Sequence, residues 1–290
     1  MKPIQVQKNT FKSFDGTEIY YEVHGDKGPV VTLVYGVACQ MNHWVYQVQA
    51  LSENYQVLMF DYRGHHKSAM SDELNMDAVA KDLNALLCHL NFKTTHVVGH
   101  SFGVPVAVKF ANFYPEKTMS LVLINGFVYN PLDELFKFPV SDKLINTLEA
   151  LESYAPSLSQ WLWKKVVNNL VSQLVAALLG GFNLELVPFK DIEIYTQALE
   201  NLRLKVVLDY MQDLVRTDLR DDLMRVSAPT LVISGLRDGI TPIHQQDLMK
   251  NLIPNAHIER IKDGSHCTQL DKPELVNALL KDFFVSQHKK

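Results

Sequence analysis

Val97-Val98-Gly99-His100-Ser101-Phe102-Gly103 is the stretch on which the reading of this chain turns. It places G-x-S-x-G between a short apolar run, Thr95–Val98, and a helix-like stretch, Val104–Tyr114. A serine hydroxyl is a weak nucleophile. It must stand clear of the chain, so that a base reaches it from one side and a reacting carbon from the other. A sharp strand-to-helix turn achieves this, and glycine on both flanks lets the backbone cross closely. The same turn aims the first amides of the new helix at any oxyanion that forms beside the serine. Five residues of this pattern alone are weak evidence. The competing reading is a tight structural turn with an inert serine, and the flanking strand and helix favour the nucleophile elbow.

Working outward, the first third of the chain alternates strand and helix signals. Thr17–His24 reads as a strand after the Asp15-Gly16 turn. Val30–Tyr35, Tyr55–Phe60, Thr95–Val98 and Leu121–Ile124 are continuous apolar runs, as expected for strands buried on both faces of a parallel sheet. Trp44–Glu53, Asp77–Leu90 and Val104–Tyr114 carry helical spacing between them. The alternation predicts an α/β fold with a doubly wound, mostly parallel sheet.

The alternation stops after Phe127. From there to about Thr217 the pattern is helical only: Asp142–Ser153, Leu158–Leu179, Asp191–Asn201 and Lys205–Arg216. It resumes with a strand in Ala228–Gly235, a helix in Pro242–Leu252, a strand in His257–Ile261 and a helix in Pro273–Val285. The expected organisation is a core made of residues 1–126 and 218–290, with residues 127–217 inserted as a helical cap over the active face. The apolar stripe from Val166 to Leu179 is broken by Asn168, Asn169, Ser172 and Gln173, so it falls short of the roughly 18 apolar residues of a membrane span.

With these features in place, the chain resembles the α/β-hydrolase fold superfamily over nearly its whole length. Besides the elbow, Asp61-Tyr62-Arg63-Gly64-His65-His66-Lys67-Ser68 is similar to the family's D-x-R-G-H-G-x-S stretch. Leu236-Arg237-Asp238-Gly239 resembles the segment that carries the triad acid, and Asp263-Gly264-Ser265-His266 the loop that carries the histidine. The order Ser, Asp, His is the order such enzymes use. The residues support the same assignment by position. Ser101, Asp238 and His266 each follow a predicted buried strand, at the sheet edge where open parallel sheets bind ligands. His266 is therefore the expected base for Ser101, with Asp238 holding its tautomer. Asn125-Gly126, the family's other acid position, offers no carboxylate, and Asp263 is the weaker candidate.

The resemblance implies an oxyanion hole built from the backbone N–H groups of Val37 and Phe102. The family's His-Gly pair reads Tyr35-Gly36 here, which puts the geometry of that loop in question. Tyr35, Trp161 and Trp163 are candidate substrate-pocket residues, against the plainer reading that each fills a core. Serine at the elbow, in place of aspartate, points away from dehalogenase and epoxide hydrolase chemistry. The expected activity is hydrolysis of a carboxylic ester, with an apolar acyl group, through an acyl-enzyme on Ser101. Two alternatives remain: a carbon–carbon bond hydrolase with the same triad, and a slow-turnover ligand receptor on the same fold.

Composition narrows the partners. The 290 residues carry a formal net charge of −4, with no basic footprint for nucleic acid. A chain of this length buries roughly three quarters of its surface without a metal or disulfide. Cys39, Cys88 and Cys267 have no metal-ligand spacing, and no cofactor motif occurs. The expected partner is a small-molecule ester or related acyl compound, with neither metal nor cofactor and no stable membrane insertion. The N-terminal residues lack a signal-peptide pattern and the cysteines are odd in number, so the cytoplasm is the expected compartment. Cys267 beside His266 predicts sensitivity to thiol reagents.

Overall fold

The computed structural model describes residues 4–37, 39–136, 141–167, 169 and 181–287. Eight strands form one sheet: β1 (Val6–Lys12), β2 (Glu18–His24), β3 (Val30–Val34), β4 (Gln56–Phe60), β5 (Thr95–His100), β6 (Thr118–Ile124), β7 (Thr230–Gly235) and β8 (Ala256–Ile261). Their order is β1-β2-β4-β3-β5-β6-β7-β8. The pairs β1·β2 and β2·β4 are antiparallel, and every pairing from β4 to β8 is parallel. β3, β5 and β7 are buried at every position. Helices on the sheet faces remove these Val- and Leu-rich runs from water, which is why they read as unbroken apolar segments.

The helices flanking the sheet pack in pairs, Met76–His89 on Gly103–Phe113 and Val45–Leu51 on Pro273–Gln287. Met76–His89 starts where the Asn75 side chain accepts the Ala78 amide at 2.8 Å, with Asp77 in the first turn. One strand escaped the sequence pattern. β1 is exposed at all positions except Phe11, so it carries no alternation to detect.

Between β6 and β7 the described residues form helices and no strand: Leu132–Phe136, Ser141–Tyr154, Pro156–Val167, Phe189–Asn201, Leu204–Arg216 and Arg220–Arg225. Tyr129 pairs with Asp218 in an isolated bridge, and the Leu219 amide donates to the Val128 carbonyl at 2.7 Å. These contacts hold together the two ends of the helical segment. Most of the expected apolar stripe from Val166 to Leu179 lies outside the described residues. Among the described residues no helix is long and apolar enough to cross a membrane.

The loop after β4 is locked from below. Arg63, fully buried, donates to both carboxylate oxygens of Asp82 at 2.8 and 2.7 Å and to Asp15 at 2.9 Å. A bidentate pair of this kind fixes orientation as well as charge. Tyr210, from the helical segment, donates to the Arg63 carbonyl at 3.1 Å.

Candidate active site

Ser101 sits between the end of β5 and the helix Gly103–Phe113, with φ at +52°. A non-glycine residue held there is strained, and the surroundings impose it. The Ser101 amide donates to the Ile124 carbonyl at 3.0 Å, and its carbonyl accepts from Val104 at 2.9 Å. Side chains at the flanking glycines have no room. A Cβ at Gly99 would collide with the Gly103 carbonyl, and one at Gly103 with the Val34 carbonyl.

Three distant side chains meet at this rim. His266 Nε2 lies 2.9 Å from Ser101 Oγ, and His266 Nδ1 lies 2.9 Å from Asp238 Oδ2. The Asp238 side chain is almost wholly buried, and its other oxygen accepts the amides of Ile240 and Thr241 at 2.8 and 2.9 Å. Those bonds orient the carboxylate toward the imidazole. Thr241 Oγ1 sits 2.6 Å from Asp238 Oδ2 and 3.1 Å from the Asn125 carbonyl.

Asn125 was missed by the sequence reading except as a vacant acid position. Its side-chain amide donates to the carbonyls of Ser265 and His266, both at 2.8 Å, and to Thr268 Oγ1 at 2.9 Å. Its side-chain oxygen accepts the Gly235 amide at 2.8 Å. One residue thus ties together the strand end that carries Asp238 and the loop that carries His266. Asp271 adds a second tie, accepting the amides of Ser265 and, from the helical segment, Asn183.

Other histidines near the rim make different contacts, and the hydrogen bond to Ser101 Oγ is that of His266. His100 Nε2 faces the His266 carbonyl at 2.8 Å, and His66 Nε2 faces the Cys39 carbonyl at 2.8 Å. Burial lowers the pKa of His43 to about 3 and holds that of His100 well below the ordinary histidine value. Both are neutral imidazoles. Cys39 and Cys267 are both buried, and burial pushes the Cys267 thiol well up, so Cys267 is not poised as a thiolate.

Val37, one of the two expected oxyanion donors, lies three residues beyond the end of β3, and Phe102, the other, directly follows Ser101. Among the described residues no backbone carbonyl accepts either amide. Gly36 separates the two segments closely: a Cβ there would lie 3.2 Å from Ser101 Cβ.

Two pocket candidates are displaced from that role. Tyr35 is fully buried and lines no cavity at Ser101. Its hydroxyl donates to Asp61 at 3.3 Å and accepts the Tyr62 amide at 3.0 Å, so it braces the loop in place of the family's histidine. Trp161 is 56% exposed and faces outward, because the helix Pro156–Val167 turns that side to solvent. Trp163, two residues on, turns inward. Its indole N–H donates to the Leu199 carbonyl at 3.1 Å, and its ring lines an apolar cavity.

Ser101 and His266 open into a cavity of about 260 Å³ walled by Phe127, Pro131, Leu132, Phe182, Met211 and Leu214. A second cavity of about 500 Å³ lies among the helices after β6, lined by Ile145, Leu148, Trp163, Leu199, Val207 and Leu208. The two share Val37, Leu132 and Met211. No Lys, Arg, Asp or Glu lines either cavity among the described residues.

A strand-turn-helix serine facing a histidine and a buried aspartate, at the carboxyl edge of a mostly parallel sheet, defines a hydrolase-type fold and site. The comparisons agree. Residues 29–273 match the family model described as alpha/beta hydrolase fold, and the chain belongs to that family. It is 25% identical over 274 residues to the "Putative carbamate hydrolase RutD" of Stutzerimonas stutzeri, covering 93% of this chain and 97% of that protein. It is 25% identical over 286 residues to the monoacylglycerol lipase ABHD6 of Bos taurus, covering 92% of this chain and 79% of the lipase. Among solved structures it is similar to the bromoperoxidase from Bacillus anthracis, with TM-score 0.76, 25% identity and coverage of 96% and 99% of the two chains.

Proposed function

We propose that this hydrolase cleaves a carboxylic ester with an apolar acyl group through an acyl-enzyme on Ser101. The observation that carries the reading is the unbroken relay from Ser101 Oγ through His266 to Asp238, both contacts at 2.9 Å, opening into an uncharged apolar cavity. Asp238 accepts a hydrogen bond from His266 Nδ1–H and keeps the proton on that nitrogen, which leaves Nε2 to receive the Ser101 proton as Oγ attacks the ester carbonyl. That general-base step is worth about 10²–10⁴ in rate. The Val37 and Phe102 amides hold the oxyanion, each contributing about 3–4 kcal/mol. His266 then protonates the departing alcohol, and water, activated by the same imidazole, releases the acid.

We take residues 127–217 as the cap and place the acyl chain beneath it, running from the smaller cavity past Met211 into the larger one. Trp163 lines that path, whereas Tyr35 and Trp161 act elsewhere. The walls carry no charged side chain among the described residues, which counts against a carbon–carbon hydrolase, since that would need polar cap groups to grip a substrate carboxylate. A series of p-nitrophenyl esters from acetate to decanoate tests the reading. kcat/KM is expected to rise with acyl length, and a preference for acetate over every longer ester would refute the apolar site.

A further inference from the structure

We propose that His43, His100 and Cys267 form a binding site for one borderline-soft divalent cation, of the Zn²⁺ and Co²⁺ kind, in the wall beside Ser101. Their donor atoms all lie within 4.8 Å of one another, and all three residues are buried. The spacing of the sequence conceals this group, since its members come from the loop after β3, the end of β5 and the loop after β8.

The tautomer of His100 points to a ligand. Its Nε2 faces a carbonyl oxygen, that of His266 at 2.8 Å, and a carbonyl only accepts; Nε2 therefore carries the proton. The lone pair is left on Nδ1. That atom is buried and has no hydrogen-bond partner among the described residues. An imidazole with one ring N–H held by a backbone carbonyl and the other nitrogen without a hydrogen-bond partner has the arrangement that metal-bound histidines adopt. Packing explains why the His43 and His100 rings stack, with centroids 4.9 Å apart, but gives no role to the bare Nδ1.

Imidazole nitrogen and thiolate sulfur are the donors that zinc and cobalt prefer, at about 2.0–2.1 and 2.3 Å. Tetrahedral binding needs neighbouring donors about 3.3–3.7 Å apart, so no pair in the present group would have to close by more than about 1.5 Å. Both imidazoles bind without losing a proton, and Cys267 releases its thiol proton to solvent as the metal–sulfur bond forms. All three residues line the cavity that holds Ser101, which gives the ion its entry path and leaves the fourth position facing the cavity. An ion seated there also obstructs Ser101.

The test is a Co²⁺ titration of the full chain, followed by its displacement with Zn²⁺. One equivalent of Co²⁺ is expected to give a sulfur-to-cobalt charge-transfer band. The band should persist in Cys88→Ser and vanish in Cys267→Ser, with folding of each variant checked by circular dichroism. His43→Gln, which leaves the thiol in place, should weaken binding at least about tenfold. The site is refuted by a wild-type protein that gives no such band, or by a band unchanged in folded Cys267→Ser or in His43→Gln. Saturating Zn²⁺ is further expected to slow fluorophosphonate labelling of Ser101, and unchanged labelling would refute the obstruction. Protein that resists labelling without any metal would count against the reading of Ser101, while the cobalt band still decides the site.

Discussion

Asn125 stands just past the end of β6 with φ at +45°, and through its four side-chain hydrogen bonds it joins two loops that begin more than a hundred residues further along the chain. Asn125→Ala removes the bonds without adding a charge. It is expected to cost about 1–3 kcal/mol in urea unfolding. It should also lower kcat more than it raises KM, because Asn125 positions His266 and itself lines neither cavity. A loss of stability with kcat intact would leave Asn125 a purely structural tie. Tyr35→Phe is expected to cost a similar ~1–3 kcal/mol by removing the donor to Asp61 Oδ1 and the acceptor of the Tyr62 amide, with no change in acyl preference. A shifted preference would return Tyr35 to the pocket. Ser101, Asp238 and His266 were legible because each sits in a local motif just after a strand. Asn125 and Thr241 were not, since their work is to bind oxygen atoms and amides supplied by other segments, which no local pattern encodes. Tyr35 and Trp161 were misplaced because an aromatic residue type does not say which way its side chain faces.

At the level of elements, the helix Leu204–Arg216 does two tasks. Tyr210 holds the Arg63 loop, while Val207, Leu208 and Met211 line the larger cavity. Met211 touches both chambers, so Met211→Trp should partly close the passage between them. The expected result is a loss of kcat/KM for decanoate with little change for acetate, at an overpacking cost of about 1–3 kcal/mol. Equal losses for both esters would contradict an acyl path past this residue. The buried strands and amphipathic helices were readable from periodicity, within a residue or two at most ends. β1 was not, because an exposed edge strand has no apolar face to announce it.

Across the whole molecule, buried neutral histidines set the acid response. His65 is fully buried, and its pKa is lowered to about 3, mainly by burial. The unfolded chain binds that proton near pH 6.5, so the stabilising difference is full above about 6.5 and is lost as pH falls toward about 3. His43 behaves in the same way. Urea unfolding at about pH 8 and about pH 5 should show a lower stability at pH 5, the loss setting in below about pH 6.5 and approaching ~1.4 kcal/mol per pH unit for each such histidine, and His65→Gln should flatten that slope. Equal stability at the two pH values would contradict the burial of neutral imidazoles. The central claim is that a strained serine, a histidine and a buried aspartate together make one reactive alcohol. Fluorophosphonate labelling mapped by mass spectrometry tests it most directly. The account predicts one adduct, on Ser101, absent in Ser101→Ala and strongly slowed in His266→Ala; a folded protein that takes up no label, or takes it elsewhere, would contradict it.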